Sequence, residues 1–205
     1  MTDTQNLNLS SVAEALARHA PQVQDPGQPG HAAVAMLLKE EDASPQVLFI
    51  LRAEHDRDPW SGNIGFPGGR LNGPHETPQE AAVRETLEEL SVDLEKASCL
   101  GRLDDLHGAT LPVLVSCFVY QVTEPLTLCP NHEVAATFWV PLAKLLEDER
   151  HQQRRFFYRN QERSHPVVEL LEPQQPLLWG ITYRLIRNFF GICAIDFGSP
   201  EAEKI

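Results

Sequence analysis

Cysteine is scarce and scattered. Cys99, Cys117, Cys129 and Cys193 are the four in 205 residues, and no pair has the spacing of a zinc motif or a disulfide framework. They are expected to be reduced core thiols, which suits a cytoplasmic protein. Long hydrophobic runs are missing as well: nothing approaches the roughly 18 consecutive apolar residues of a membrane span, so no membrane partner is expected. Met1 to Leu9 has neither a basic start nor an apolar run and does not read as a signal peptide. The terminal Glu201-Ala202-Glu203-Lys204-Ile205 carries no lipidation or peroxisomal signal. Positive charge is in deficit, with 17 Lys+Arg against 29 Asp+Glu and a formal net charge of -12. Such a field repels a phosphate polymer, which excludes nucleic acid as the expected partner. A small polyanion stays possible, because local arginines and a bound divalent cation can reverse the potential inside one cleft. The chain also lacks internal repeats and low-complexity tracts.

What is present is 42% hydrophobic residues over a length suited to one substantial core. Val12, Ala13, Leu16 and Ala17 fall at helical spacing behind Ser10-Ser11 and are stopped by Pro21, predicting a short leader helix. Pro21 to Gly30 reads as a connector. The expected organisation is therefore a helix and connector over 1–30 packing on a main domain over 31–195, then a tail over 196–205. His31 to Leu38 and Gln46 to Leu51 are short, aliphatic and separated by a polar turn, predicting a hairpin. Val113 to Val122 and Ala136 to Val140 predict further strands, and Pro141 to Glu149 the start of a helix. Arg155 to Tyr158 and Pro166 to Leu170 predict a second hairpin, and Leu177 to Phe190 an apolar last helix. The mixture predicts an α/β layered domain, a sheet covered by helices.

Chemistry concentrates between Asp58 and Leu90. Thr77-Pro78-Gln79-Glu80 is a capping box with proline at the first helical position, which fixes the start of a helix. Winding it at about 100° per residue puts Glu85, Glu88 and Glu89 in one sector and Val83, Leu87 and Leu90 roughly opposite. One face is then expected to be core and the other carboxylate. Three glutamates at i, i+3 and i+4 repel one another. Arg84 can offset Glu88, but Glu85 and Glu89 have no helical partner, and converging oxygen ligands are what Mg²⁺ or Mn²⁺ requires. On its own such a face is more often solvated surface. Upstream, however, Gly62, Gly65, Gly68 and Gly69 crowd around Phe66-Pro67, a backbone built to turn sharply and approach something closely.

Taken together, Gly69 to Glu76, seven residues, then Arg84-Glu85-Thr86-Leu87-Glu88-Glu89-Leu90-Ser91-Val92 resembles the Nudix box, with its E-x7-R-E-x-x-E-E core complete. The loop from Gly69 to Glu76 is one residue longer than the pattern, Thr86 replaces an aliphatic residue and Ser91 replaces glycine. Without glycine for a left-handed cap, a slightly different helix exit is expected. The resemblance implies a mixed β-sheet sandwiched between α-helices (α/β/α), with Glu85, Glu88 and Glu89 holding Mg²⁺ or Mn²⁺ and Arg84 and Glu76 bracing loop and helix. It also implies metal-assisted attack of water on a diphosphate, with Glu85 the first candidate base and Glu133 the second.

Leu48-Phe49-Ile50-Leu51-Arg52-Ala53, Arg57, Gly62 and Phe66-Pro67-Gly68-Gly69 are similar to the additional signature of the coenzyme A diphosphatase branch. Spacing is one residue long and a leucine stands where threonine is usual. That resemblance implies cleavage of coenzyme A or an acyl-CoA to 3′,5′-ADP and 4′-phosphopantetheine. Another nucleoside diphosphate derivative or a non-enzymatic nucleotide sensor are the open alternatives. Arg52, Arg57 and Arg70 suit phosphate oxygens, Gly68 and Gly69 suit close approach, and Trp60 is a candidate either to stack on an adenine or to anchor its loop. Trp179 and Tyr183 are expected to be packing residues. The extra terminal helices suggest a homodimer.

Overall fold

The computed structural model describes residues 7–25, 30–42, 44–55, 60–109, 111–123, 126–158, 161–170 and 176–198. In chain order these form α1 (Leu9–Arg18), β1 (His31–Glu41), β2 (Ser44–Arg52), β3 (Ile64–Gly65), β4 (Gly68–Arg70), α2 (Pro78–Leu90), β5 (Ser98–Arg102), β6 (Leu106–His107), β7 (Leu114–Gln121), β8 (Val134–Pro141), β9 (His151–Tyr158), β10 (Gln161–Val168) and α3 (Gly180–Ile192). At its centre β1 and β7 run parallel in register from His31 with Leu114 to Leu38 with Gln121. Strands buried on both faces sit at the middle of such sheets, and β7 is buried from Leu114 to Tyr120. Around this pair the sheet is antiparallel: β2 joins β1 and β8 joins β2, while β5 and β6 join β7.

Two apolar cores lie on opposite faces, because successive strand side chains point to opposite sides. One collects Leu9, Val12 and Leu16 of α1, Leu185, Ile186 and Phe189 of α3, and Val113, Val115 and Cys117 of the central strand region. The other packs Ala81, Ala82 and Leu90 of α2 on Ala33, Ala35, Leu48 and Ile50. This is a mixed sheet between helices, the α/β/α arrangement expected. The leader helix packs as part of the first core, and its connector is tied down by buried charge. His19 Nε2 lies 2.9 Å from Asp104, and the Gln24 N–H donates to Asp105 at 2.9 Å. Phe197 is also buried and stacks on Phe190 at 5.3 Å.

Several local expectations need correction. Pro141 to Glu149 is not the start of an α-helix but two 3₁₀ turns, Leu142–Leu146 and Asp148–Arg150. Leu142 and Leu145, both buried, are three apart, which suits the three-residue repeat. The last helix starts at Gly180 and not at Leu177, because Leu178 pairs with Val168 and Gly180 bends at φ +66°. Cys99 and Cys129 are exposed instead of core, although all four thiols are free. Ser91 does not alter the exit of α2: it takes the left-handed cap itself at φ 59°, ψ 29°. That conformation costs a residue with a Cβ more than glycine, and Ser91 gains in return only a 3.5 Å hydroxyl contact to the Cys129 carbonyl. Ser91→Gly is expected to stabilise the protein by about 0.5–1 kcal/mol, read as a rise of about 1–4 °C in melting temperature.

Candidate active site

The site begins where β4 meets α2. Gly68 and Gly69 pair antiparallel with Val34 and Ala33 of β1, and both approach other atoms too closely to carry a side chain in this arrangement. A Cβ on Gly68 would lie 2.3 Å from the Ala33 carbonyl oxygen, and one on Gly69 would lie 2.4 Å from the Glu85 carboxylate. The missing side chains leave a trough, and two glutamates of α2 fill it. The Glu89 carboxylate accepts the Gly68 N–H at 2.8 Å, and Glu85 lies over Gly69.

Helix α2 starts as expected. The Thr77 hydroxyl accepts the Glu80 N–H and the Glu80 carboxylate accepts the Thr77 N–H. Its orientation differs from the expected one, however. Leu87, assigned to the core face, is 49% exposed, and Glu89, assigned to the polar face, is 1% exposed. The buried face runs through Ala81, Ala82, Thr86, Glu89 and Leu90, and Thr86 satisfies its hydroxyl on the Ala82 carbonyl at 2.7 Å. Small residues let α2 sit close to the sheet, so the carboxylates meet glycine backbone in place of solvent.

Arg84 organises the loop. Its guanidinium donates to Glu76 at 2.7 and 3.2 Å, to the Arg70 carbonyl at 3.1 Å and to Glu85 at 2.8 Å. Glu76 in turn accepts the Asn72 N–H, so the extra loop residue is closed on the same carboxylate. Arg84 holds Glu76 below the usual carboxylate range, and Glu76 and Glu85 raise the guanidinium further. Glu88 is the outlying member, 3.4 Å from Arg84 with its side chain 55% exposed.

Burial pushes the Glu89 carboxyl up to about 7; the Gly68 N–H and Arg52, 3.6 Å away, pull it down, and the charges on Glu85 and Glu133 push it up again. Glu133 is brought there by the end of α2. The Cys129 and Asn131 N–H groups donate to the Leu90 and Glu89 carbonyls, and Asn131 Nδ2 donates to Glu88. These satisfy carbonyls that a helix end leaves open. Asn131 then accepts the Glu133 N–H at 2.8 Å, setting Glu133 at the mouth of β8.

All of this opens into a cleft of about 1270 Å³, lined by Arg52, Trp60, Gly68, Gly69, Arg70, Glu85, Glu89 and Glu133. Arg57 lies outside the described residues. A NUDIX domain family model matches residues 29–161. The chain belongs to the Nudix family. It is similar to Uncharacterized protein C14C4.10c of Schizosaccharomyces pombe, 32% identical over an alignment of 164 residues that covers 68% of this chain and 50% of that protein. It is also similar to Mitochondrial coenzyme A diphosphatase NUDT8 of Homo sapiens, 29% identical over 160 residues, 76% of this chain and 66% of that protein. The chain thus spans between half and two thirds of the length of these relatives. Among solved structures, a binary complex of Caenorhabditis elegans Ap4A hydrolase aligns with a TM-score of 0.48 at 20% identity, over 58% of this chain and 85% of that one.

The Nudix-box carboxylates suit a hard divalent cation by chemistry, since every donor is oxygen and a cation would offset the burial and the neighbouring carboxylates that raise Glu89. Glu85 and Glu89 line the cleft, whereas Glu88 is turned to Arg84. Among the described residues no three His, Cys, Asp or Glu side chains converge as a cation site in the present arrangement. Among those residues, too, no helix is long and apolar enough to cross a membrane.

Residues the sequence did not single out also reach the cleft. His55, Phe156, Arg163 and His165 line it, and Trp179, expected only to pack, lines it as well. Trp179 donates its indole N–H to Asn63 Oδ1 at 2.9 Å. The second hairpin was legible only in part, since its strands run His151–Tyr158 and Gln161–Val168 and not Arg155 to Tyr158 and Pro166 to Leu170, and no periodicity tells which part of a sheet a hairpin will cover.

Proposed function

We propose that this Nudix domain hydrolyses a diphosphate linkage in a nucleotide derivative, with coenzyme A or an acyl-CoA as the substrate and 3′,5′-ADP and 4′-phosphopantetheine as products. The observation that carries the reading is the buried Glu89, held on the Gly68 N–H beside Glu85 and Glu133 in a cleft that also receives Arg52 and Arg70. Carboxylates buried and crowded to that degree cost stability, and such arrangements cluster where a ligand is bound.

In this reading Glu85, Glu88 and Glu89 would hold Mg²⁺ or Mn²⁺, whose role is to neutralise the diphosphate and acidify a water. Arg52 and Arg70 bind the phosphate oxygens. Arg84 keeps Glu85 over Gly69, so that one carboxylate is held in place before the reaction. Glu133 is exposed and outside the Arg84 network, which favours it over Glu85 as the base that takes the proton from water. The similarity to a coenzyme A diphosphatase supports the substrate, as do Arg52 and the Phe66-Pro67-Gly68-Gly69 turn. A cytoplasmic location, supported by four free thiols, and a homodimer belong to the same proposal.

Rates on coenzyme A, ADP-ribose and a nucleoside triphosphate, each with Mg²⁺ or Mn²⁺, test it. The expected result is a kcat/KM for coenzyme A at least tenfold above the others. Preference for ADP-ribose or a triphosphate would keep the chemistry and remove coenzyme A; binding without turnover of any would leave a nucleotide sensor.

A further inference from the structure

The diphosphate chemistry uses only one part of the cleft. Another wall is built by the β9–β10 hairpin and the start of α3, and it is aromatic and cationic. Phe156 stacks on Trp179 with ring centroids 4.3 Å apart and planes 11° from parallel. His165 leans on the same pair, 5.8 Å from Trp179 and 5.9 Å from Phe156. Arg163, two residues before His165 on β10, lines the same space. None of Phe156, His165 and Trp179 is fully buried, so π-surface is presented to the cleft and not spent wholly on core packing. The wall is also joined to the phosphate-binding side. Trp179 Nε1 is bonded to Asn63 Oδ1, and the Asn63 carbonyl accepts the Arg52 N–H at 3.1 Å.

At about 1270 Å³ the cleft exceeds the roughly 300–1,000 Å³ of ordinary small-molecule pockets. A diphosphate alone would leave most of it empty. Of the groups that can flank a diphosphate, a flat heterocycle matches a stacked aromatic pair. A phosphate on its ribose matches a guanidinium and an imidazole set beside that pair. An aliphatic amide arm would use neither.

We infer that Phe156, Trp179, Arg163 and His165 form the subsite for the nucleoside half of the substrate, the purine extending the Phe156–Trp179 stack and an additional ribose phosphate meeting Arg163 and His165. This rests on the diphosphatase reading for the identity of the whole substrate, but the subsite is tested without turnover. Adenosine 3′,5′-bisphosphate, AMP and 4′-phosphopantetheine are titrated by calorimetry into the native protein, Phe156→Ala and Arg163→Ala, with circular dichroism as the check on folding. Arg163 is exposed on a hairpin strand, so its variant is available even if Phe156→Ala is unstable.

Binding of the bisphosphate is expected to weaken about tenfold in Phe156→Ala, the size of one lost base–aromatic stack. Arg163→Ala is expected to erase the preference for the bisphosphate over AMP, and 4′-phosphopantetheine should be indifferent to both. Unchanged nucleotide binding in both variants overturns the subsite, and so does a selective loss of 4′-phosphopantetheine binding, which would put the other half of the substrate on this wall. If the native protein cleaves no coenzyme A while Phe156 still governs nucleotide binding, the coenzyme A reading fails and the subsite stands.

Discussion

Glu89→Gln is expected to lower kcat for diphosphate cleavage on the order of 100- to 1,000-fold while making the metal-free protein more stable at pH 8. The two effects have one cause. Glu89 is 1% exposed, yet the proposed metal site needs it as an anion. Its carboxyl rises from 4.5 to about 7 on folding, first through burial. A carboxyl whose pKa is raised in the folded state contributes stability that is complete below its unfolded value and lost as the pH climbs through the folded one. The native protein should therefore lose on the order of 3 kcal/mol between pH 4.5 and pH 8 through this group. The neutral amide has no such slope and still accepts the Gly68 N–H. Thermal melts in a chelator, at pH 5 and pH 8, read the difference as a gap that opens at the higher pH. Mg²⁺ should close it by raising only the native protein. A variant that melts lower at both pH values would show that Glu89 is a structural anion and not a ligand held at a cost.

Alanine at Gly68 and at Gly69 should fail in different ways, although the two are neighbours. At Gly68 the new Cβ meets backbone, with the Ala33 oxygen at 2.3 Å and Val34 Cα at 2.6 Å, at φ +151°. Neither neighbour can move without breaking the β1–β4 ladder, so Gly68→Ala is expected to cost about 3 kcal/mol or more. At Gly69 the clash is with the Glu85 carboxylate, the far end of a side chain that can swing aside. Gly69→Ala is expected to keep its melting temperature within a few degrees and to lose about 100-fold in kcat, the scale of a displaced catalytic group. Gly73, with φ +86° and nothing within 4 Å of a built Cβ, is the control, where alanine should cost only about 1–2 kcal/mol of backbone strain. Melting curves and initial rates on the three variants separate these outcomes; equal stability losses at Gly68 and Gly69 would contradict the trough.

The sequence carried α2 well, because its start depends on local chemistry: Thr77, Pro78 and Glu80 form the same capping box in the fold. It also carried β1, β2, β7 and β8, whose aliphatic runs have no other use. The side of α2 that is buried was not legible. A hydrophobic-face argument puts Leu87 inward and Glu89 outward, and the reverse holds because α2 faces Gly68 and Gly69, which offer space and an N–H where a core would offer side chains. β5 was missed for a related reason. Ser98-Cys99-Leu100-Gly101-Arg102 has no strong alternation, and its register along β7 shifts between Cys99 and Gly101, so pairing decides it and not propensity. The aromatic wall depends on where β9–β10 folds back, a long-range event that the local pattern of Phe156 and His165 does not encode.

The most direct test is phosphorus NMR of coenzyme A incubated with the native protein and Mg²⁺, with the native protein and chelator, and with Glu89→Gln and Mg²⁺. The expected result is that the diphosphate resonances give way to two phosphomonoester resonances in the first sample alone. Diphosphate signals unchanged in the first sample, or lost equally in the third, would contradict the assignment of diphosphate cleavage to the carboxylates of α2.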